Sequence, residues 1–292
     1  MNVSFTKGTL SATRFTVPYA IAGYGGRTLI CVNGLQQTMA MWRSLVSRTV
    51  AAGFRTVLFD FPNQGRAVGR NGGESLTLQQ QVDVLAAVVD HVEPLESVAL
   101  IGGSWGSLIA AAFAATRPDR VSKMVLGSFQ SRPSKALRDV AQQGRALIES
   151  GRPHDLALLF IAAFGDGISP ATREQMCKQF RGLRPEQTLQ MYEQALLILS
   201  GEDFESQFDL GRITAPTLLV NGDLDPLIDR DNTAHVLRRV RSARLRIEPS
   251  AGHFLHFERS EILETYMRFL TGHDHASVPP PEMFSTVSPV RM

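Results

Sequence analysis

Short apolar runs alternate with longer amphipathic stretches along most of this chain, and this alternation limits the possible folds more than any other feature. An alternating pattern predicts a strand at residues 15–21, and apolar runs predict buried strands at 28–32, 56–59, 97–101, 123–126, 217–220 and 243–247. Helical spacing of apolar residues falls between them, at 76–92, 108–116, 231–240 and 258–270. Strands that alternate with helices build a mostly parallel sheet with helices on both faces, so we expect an α/β fold.

A long helical stretch, from about residue 133 to 210, interrupts this alternation. We interpret it as a helical lid that is inserted after the sixth strand of the sheet. The predicted organisation is therefore an α/β core formed by residues 1–130 and 211–271 and a lid over 131–210. A flexible tail is expected over 272–292, which contains three consecutive prolines and little periodicity.

The composition argues against several classes of protein. Hydrophobic residues make up 43% and charged residues 20% of the chain, as in soluble globular domains. The formal net charge is +2, and the basic and acidic residues are interspersed, so no basic stripe indicates a nucleic-acid partner. The apolar runs are too short for a transmembrane segment, and the first residues do not resemble a secretory signal. We therefore expect a cytoplasmic protein with reduced cysteines and no metal site.

A Gly-Gly-Ser-Trp-Gly sequence at residues 102–106, called the elbow below, matches the pattern G-x-S-x-G. It lies between a predicted strand and a predicted helix, the context in which this pattern forms a sharp turn that exposes the serine hydroxyl. Glycines are needed there because a Cβ would collide with neighbouring backbone. The N-terminus of the following helix favours negative charge that develops beside the serine. The elbow therefore predicts that Ser104 is a catalytic nucleophile.

The serine needs a base that removes its proton, and histidine is the usual choice. His253 follows the last predicted strand of the sheet, where a loop at the C-terminal end of the strand can reach Ser104. His256, three residues further on, is the alternative base, although a surface or pocket-wall position is favoured for it. We expect His253 to be the catalytic base.

The acid that orients this base should follow the preceding strand. Two aspartates lie there, Asp223 and Asp225, and both remain candidates. Asp225 is favoured because it precedes Pro226 and lies further out on the loop. Asp223 is expected to fix the loop by accepting backbone N–H groups. The acid would hold the histidine in the correct tautomer and stabilise its protonated form.

Acyl chemistry also needs backbone donors for the oxyanion of the tetrahedral intermediate. One predicted donor is the amide of Trp105, directly after the nucleophile. The other is the amide of Leu35, in the loop that follows the strand at 28–32, with Gly34 allowing the turn. Asp60 follows another strand, and a structural role in its loop is expected for it.

The elbow, the segment 217–225 and the Gly-His-Phe triplet at 252–254 together resemble the α/β-hydrolase superfamily over nearly the whole chain. A narrower resemblance is to the bacterial 3-hydroxyacyl transferases. This group includes the synthase of the rhamnolipid precursor 3-(3-hydroxyalkanoyloxy)alkanoate and the 3-hydroxyacyl-ACP:CoA transacylase. The segments that carry it are Asn33-Gly34, 57–62, 104–106, 144–149 and 252–255.

The resemblance implies an α/β-hydrolase fold, the triad Ser104, Asp225 and His253, and a 3-hydroxyacyl thioester of CoA or acyl carrier protein as donor. The predicted product is a hydroxyalkanoyloxy-alkanoate lipid precursor, formed without a metal or organic cofactor. A serine esterase or thioesterase with a hydrophobic substrate is the alternative function. A non-catalytic ligand-binding protein on the same fold is a third possibility, against which the complete triad argues.

Two apolar clusters in the lid, at 156–164 and 196–199, could bind an acyl chain or could simply pack the lid on the core. Under the first interpretation, Phe160 and Phe164 contact substrate, together with Asn33 and Gly34 of the loop after the first buried strand. The lid also has more basic than acidic residues, which suits an acidic carrier protein or the phosphates of CoA, although a solvated helix face explains them equally well.

Overall fold

A single sheet organises the chain, and the computed structural model describes residues 3–12, 15–65, 67, 74–200 and 204–273. Its strands in chain order are β1 (Phe5–Ser11), β2 (Thr16–Ala22), β3 (Arg27–Val32), β4 (Phe54–Phe59), β5 (Val98–Gly103), β6 (Val121–Gly127), β7 (Thr217–Gly222) and β8 (Ala243–Glu248). Across the sheet they follow the order β1-β2-β4-β3-β5-β6-β7-β8. The pairs β1–β2 and β2–β4 are antiparallel, and the pairs from β4 to β8 are parallel.

The central parallel strands are buried on both faces, which explains their nearly continuous apolar sequences. In β3 only Arg27 is exposed, and in β5 the first five residues are buried. The register pairs Leu29 with Ala99 and Ile30 with Leu100. Because β3, β5, β7 and β8 run in the same direction, the loops that follow them meet at one edge of the sheet.

Helices cover both faces of the sheet. They are α1 (Arg43–Ala51), α2 (Leu78–Val92), α3 (Trp105–Thr116), α4 (Lys135–Glu149), α5 (Leu156–Phe164), α6 (Pro170–Arg181), α7 (Pro185–Leu199), α8 (Phe204–Gln207), α9 (Arg230–Arg239), α10 (Leu255–Glu258) and α11 (Ile262–Thr271). Short 3₁₀ turns occur at Met39–Trp42, Pro118–Arg120, Pro153–Asp155 and Leu210–Arg212. The core on one face contains residues of α2, α3 and α9, and the core on the other contains residues of α1 and α11.

Local sequence determines where several helices begin. Thr77 and Gln80 form a capping box at the start of α2, and the Ser134 and Ser169 hydroxyls accept backbone N–H groups at the starts of α4 and α6. The helix predicted over 258–270 begins later, as α11 at Ile262, and a separate short helix, α10, ends at Glu258. The break falls at Arg259, whose backbone is extended and whose guanidinium donates to the Ser250 carbonyl.

The predicted fold class is confirmed, because the sheet is mostly parallel, helices lie on both faces, and α4 to α8 are inserted between β6 and β7. These inserted helices run from Lys135 to Gln207. The boundaries proposed for core and lid stay a prediction. Of the tail expected over 272–292, residues 274–292 lie outside the described residues, and Gly272 ends α11 with φ 84°. Within the described part of the chain, no helix has the length and apolar character needed to cross a bilayer.

Candidate active site

The elbow connects β5 to α3, and Ser104 lies at its tip. The φ and ψ of Ser104 are 51° and −119°, and its N–H donates to the Gly127 carbonyl at 2.8 Å. This backbone is strained for a residue with a Cβ. A Cβ on Gly106 would lie 2.2 Å from the Val32 carbonyl oxygen, so only glycine allows α3 to approach β3 this closely. The strain and the close approach hold the Ser104 hydroxyl at the end of the sheet.

Hydrogen bonds connect Ser104, His253 and Asp225 in series. His253 Nε2 lies 2.9 Å from Ser104 Oγ, and His253 Nδ1 lies 2.8 Å from Asp225 Oδ2. The side chain of His253 is 7% exposed and that of Asp225 is inaccessible to solvent. The structure therefore brings together the three side chains that the sequence motifs predicted, from loops after β5, β7 and β8.

The surroundings of Asp225 favour its charged form. Burial by itself raises the pKa of this carboxyl, but the charge and hydrogen bond of His253 outweigh burial, and the net pKa is lowered. The Leu227 N–H also donates to Asp225 Oδ1 at 3.0 Å and contributes in the same direction. An ionised carboxylate accepts a hydrogen bond from the Nδ1–H of His253, and this tautomer leaves Nε2 unprotonated and able to accept the Ser104 proton.

The two alternative candidates have other surroundings. Asp223 accepts the Ala251 N–H at 3.3 Å, the loop-fixing contact that was predicted for it. His256 lies on the wall of a small pocket beside Ser104, one of the two positions expected for it. Its ring stacks on Trp42 with centroids 5.1 Å apart, and burial lowers its pKa to about 4. Among these histidines, it is His253 that contacts Ser104 Oγ.

The two residues that carry the predicted oxyanion donors line the same cavity as Ser104. Trp105 begins α3, and Leu35 lies in the turn 34–37, called the oxyanion turn below. The Gln37 N–H donates to the Gly34 carbonyl at 3.1 Å, and the Gly34 N–H donates to Gln37 Oε1 at 2.9 Å. These two bonds close the turn on both sides of Leu35. That the Leu35 and Trp105 amides bind an oxyanion stays a prediction.

Asn33 and Gly34, which were predicted to contact substrate, require a correction, because neither is among the residues that line the cavity. Asn33 is fully buried, and its Nδ2 donates to the Phe59 carbonyl at 2.8 Å and to Asp60 Oδ1 at 3.2 Å. Its Oδ1 accepts the indole N–H of Trp42 at 2.9 Å, so both polar atoms of this buried side chain have partners inside the protein. A Cβ on Gly34 would lie 2.9 Å from the Gly103 carbonyl oxygen, so this glycine allows the oxyanion turn to approach the elbow.

Asp60 has the structural role that was expected. Its Oδ1 accepts the Met39 N–H at 2.6 Å and the Asn33 amide. The carboxyl is buried, and desolvation raises its pKa to about 6, against the two hydrogen bonds, which lower it. Asp60 thus joins the end of β4 to the segment that leads into α1.

A cavity of about 480 Å³ opens at Ser104 and His253 between the sheet and the inserted helices. Phe160 and Phe164, which were predicted to contact substrate, both line it, and the Phe164 ring lies 5.2 Å from the His253 ring. Other apolar side chains complete its walls, among them Leu108, Met176, Phe180, Leu197, Ile198 and Phe204. A cavity of this size and character fits a small, mostly apolar ligand.

Few charged groups face this cavity. The cationic side chains on its wall are Arg43, which is exposed, and Arg132, which pairs with Glu205 at 3.5 Å. Among the residues that the structure describes, no three His, Cys, Asp or Glu side chains are grouped so that they could hold a metal ion. The wall of the cavity beside Ser104 is therefore mostly uncharged and apolar.

Contacts that the sequence analysis did not find hold the site together. The Glu258 carboxylate accepts backbone N–H groups of the loop that carries His253, and the Ser128 hydroxyl donates to the His253 carbonyl at 3.0 Å. Gln36 forms hydrogen bonds with two inserted helices, α6 and α7. These contacts join residues that are mostly far apart in the chain, and only the proximity of Glu258 to His253 was a signal in the sequence.

The profile of the alpha/beta hydrolase fold family matches residues 27–260. A 2-hydroxy-6-oxononadienedioate/2-hydroxy-6-oxononatrienedioate hydrolase of Cupriavidus pinatubonensis is 24% identical, covering 85% of this chain and 88% of that protein. An (R)-3-hydroxydecanoyl-ACP:CoA transacylase of Pseudomonas aeruginosa is 22% identical, covering 80% of this chain and 76% of that protein.

Solved structures resemble the whole fold. An enol-lactonase from Burkholderia xenovorans superposes with a TM-score of 0.77 at 18% identity, over 90% of this chain and 100% of that one. A 2-hydroxy-6-oxo-6-phenylhexa-2,4-dienoate hydrolase from a Rhodococcus strain gives a TM-score of 0.77 at 18% identity, over 92% and 99% of the two chains. At these identities the similarity concerns the fold alone.

Proposed function

The chain belongs to the alpha/beta hydrolase family, and on that basis we propose that it transfers a hydrophobic acyl group through an ester formed on Ser104. The observation that carries this proposal is the hydrogen-bond series from Asp225 through His253 to Ser104 at the opening of an apolar cavity. A hydroxyl bonded to a buried imidazole, which is oriented by a carboxylate, is the arrangement that activates a serine.

In the proposed first half-reaction, Ser104 Oγ attacks the carbonyl carbon of the acyl donor as His253 Nε2 accepts its proton. The Asp225 carboxylate stabilises the imidazolium that results. The Leu35 and Trp105 amides would bind the oxyanion of the tetrahedral intermediate. His253 then returns the proton to the leaving group, and the acyl group stays bonded to Ser104. Neither step needs a metal or an organic cofactor.

In the second half-reaction, an acceptor attacks the acyl-enzyme. His253 removes a proton from the acceptor as the new bond forms, and Ser104 leaves with that proton. Water as acceptor gives a free acid, an alcohol gives an ester and a thiol gives a thioester. The inserted helices, acting as a lid, would limit the access of water and hold a second chain near the ester.

For the donor we propose a medium-chain 3-hydroxyacyl thioester of CoA or acyl carrier protein. The apolar walls suit the alkyl chain, and wall residues such as Gln37 and Gln207 offer hydrogen-bond partners for a hydroxyl. The relative named as a 3-hydroxydecanoyl transacylase supports this class. A dicarboxylate, as in the name of the Cupriavidus hydrolase, is less suited to a wall whose Arg132 is already paired with Glu205. Because thioesters of this kind are cytoplasmic metabolites, we propose a cytoplasmic location.

A hydrolase is the second candidate function, favoured by the names of several relatives. Incubation with 3-hydroxydecanoyl-CoA, followed by mass spectrometry of the products, separates the two. We expect a hydroxyalkanoyloxy-alkanoate or a transferred thioester, with a Ser104→Ala variant inactive. Free acid alone, together with fast hydrolysis of p-nitrophenyl esters, would favour the hydrolase. Absence of turnover with every ester and thioester would contradict both and favour a ligand-binding protein.

A further inference from the structure

Gln36 has a backbone conformation that residues other than glycine rarely adopt. Its φ is 50°, in the left-handed region, and only 1% of the residue is exposed. The residue lies in the oxyanion turn, between Leu35 and Gln37. A buried glutamine in this conformation persists only where its surroundings hold it.

Two inserted helices supply much of that support. The side-chain NH₂ of Gln187, on α7, donates a hydrogen bond to Gln36 Oε1 at 3.1 Å. The backbone carbonyl of Gln187 accepts a hydrogen bond from Gln36 Nε2 at 3.3 Å. Gln179, on α6, donates its side-chain amide to the backbone carbonyl of Gln36. The core contributes the Asn63 carbonyl, which accepts Gln36 Nε2 at 3.2 Å. The side-chain oxygen, the side-chain amide and the carbonyl of Gln36 thus all have partners.

We propose that the pair Gln36 and Gln187, called the clasp below, keeps the oxyanion turn in its catalytic shape only while α7 is docked on the core. Both are positioning residues, which act through the Leu35 amide and not on the reacting atoms. The inference rests on the proposed function, because an oxyanion turn matters only if Ser104 forms a tetrahedral intermediate. It makes lid docking a condition for catalysis, so that an open lid and an active site do not coexist.

Loss of the clasp has two physical consequences. When the Gln187 side chain is replaced, Gln36 Oε1 loses its donor, whereas Gln36 Nε2 keeps the Asn63 and Gln187 backbone carbonyls. A buried acceptor without a donor is unfavourable, and the left-handed backbone of Gln36 loses part of what stabilises it. Both favour a different conformation of the oxyanion turn. Because a hydrogen bond weakens steeply as its angle departs from linear, the Leu35 amide would then bind the oxyanion poorly. Substrate binding in the apolar cavity would change little, so kcat falls and KM does not.

The same helix provides a matched control one turn further on. Gln190 accepts the Leu76 N–H at 2.6 Å and donates to the Leu76 carbonyl at 3.0 Å. Gln190 therefore also joins α7 to the core by two hydrogen bonds, but its partner lies outside the oxyanion turn. Replacing Gln190 removes these α7–core hydrogen bonds without touching Gln36. Gln187→Leu also removes the hydrogen bond from the Arg184 N–H to Gln187 Oε1 at the start of α7, and the Gln36→Gly background described below separates that loss from loss of the clasp.

The experiment compares Gln187→Leu with Gln190→Leu in hydrolysis of p-nitrophenyl octanoate. We expect kcat to fall at least about tenfold in Gln187→Leu, with KM within about twofold of wild type, since oxyanion binding acts on the transition state. In Gln190→Leu we expect kcat to change less than about threefold, although its melting temperature should fall about as much as that of Gln187→Leu. Equal losses of kcat in the two variants would overturn the proposal.

A glycine at position 36 tests whether the clasp acts through the backbone conformation. Glycine adopts positive φ without support, so Gln187→Leu should lower kcat less than about twofold further in a Gln36→Gly background. A full additional loss in the double variant would contradict the mechanism. Hydrogen exchange of the amides at 34–37 gives a readout without turnover. The exchange rate should rise in Gln187→Leu and not in Gln190→Leu. Equal exchange rates in the two variants would contradict the proposal.

Failure of the proposed function gives a different result from failure of the clasp. If Ser104→Ala keeps the wild-type rate of ester hydrolysis, Ser104 is not the nucleophile and the proposed function is wrong. If Ser104→Ala is inactive but the two glutamine variants behave alike, the proposed function stands and the clasp is wrong.

Discussion

Glu258 holds the backbone on both sides of His253 with a single carboxylate. Its Oε2 accepts the Gly252 N–H at 2.6 Å, and its Oε1 accepts the Phe254 N–H at 3.0 Å. Hydrogen bonds to an ionised acceptor are shorter and stronger than neutral ones. Because the imidazole can move only as far as its backbone allows, we expect Glu258 to hold His253 near Ser104 although it bonds to neither side chain.

Replacing Glu258 should therefore reduce catalysis more than binding. Glutamine keeps the shape but presents an NH₂ group to one of the two N–H donors, which leaves a backbone amide unpaired. We expect Glu258→Gln to lower kcat by about 10- to 100-fold with little change in KM. The exposed Glu261→Gln, on the next turn of chain, is the control. Wild-type kcat in Glu258→Gln would show that the loop needs no such support.

Local motifs and topology were enough to predict which side chains meet at the site. Ser104, Asp225 and His253 each follow a strand of the parallel sheet, and loops after parallel strands meet at one edge, so the order of motifs predicted a common location. The structure then places the three side chains within hydrogen-bond distance. The fold class could be predicted for the same reason, since the alternation of strands and helices has few solutions.

Other features of the site depend on tertiary contacts that no periodicity reveals. Asn33 follows β3 directly and was expected to contact substrate. Instead, its Nδ2 donates to the Phe59 carbonyl and to Asp60, and its Oδ1 accepts the indole N–H of Trp42. The partner of Gln36, Gln187, is 151 residues away in the chain. Buried glutamines look like ordinary surface residues in a sequence, so their roles required the structure.

Asp225 and Asp223 can be distinguished by matched substitutions. Asp225→Asn removes the negative charge that accepts the hydrogen bond from Nδ1–H and favours the wrong tautomer of His253, so we expect kcat to fall by about 10³ to 10⁴. Asp223→Asn retains an oxygen that can accept the Ala251 N–H, and we expect kcat within about threefold of wild type. Initial rates with p-nitrophenyl octanoate decide between them. The reverse pattern would identify Asp223 as the acid.

The lowered pKa of Asp225 also predicts how this substitution changes stability with pH. A carboxyl whose pKa is lower in the folded than in the unfolded state stabilises the fold above the unfolded pKa. That contribution is lost as the pH falls through the folded value. The difference in the free energy of unfolding between wild type and Asp225→Asn should therefore be largest near neutral pH and shrink in acid. Urea unfolding at several pH values measures it, and a difference that grows in acid would contradict the prediction.

Phe160 should influence acyl-chain length. Its ring stacks on Phe180 with centroids 5.0 Å apart, on the cavity wall formed by α5 and α6. We expect Phe160→Trp to shrink the cavity and lower kcat/KM for a decanoyl ester about tenfold more than for a butyryl ester. Phe164→Trp is less selective because Phe164 contacts the His253 ring. Leu158 lies on the same helix and is 56% exposed, so Leu158→Trp is the control. Equal effects on both esters would place Phe160 outside the acyl site.

The last prediction concerns Asp60, whose buried carboxyl has a pKa raised to about 6. A group whose pKa is higher in the folded state favours its protonated form there, so the stability it contributes is present below the unfolded pKa and is lost as the pH rises through about 6. Asparagine keeps an oxygen for the Met39 N–H without a charge to desolvate. The unfavourable free energy of the buried charge at about pH 8, which Asp60→Asn removes, is on the order of 3 kcal/mol.

Asp60→Asn should therefore raise the melting temperature at about pH 8 by several degrees and leave it nearly unchanged at about pH 4. Differential scanning calorimetry across this range measures the effect, and the exposed Asp83→Asn controls for the change in net charge. A variant that is destabilised at both pH values would mean that the charged carboxylate of Asp60 is needed to hold the Met39 segment. Because Asn33 donates to the same Asp60 oxygen, that outcome would also be expected to disturb the oxyanion turn and lower kcat.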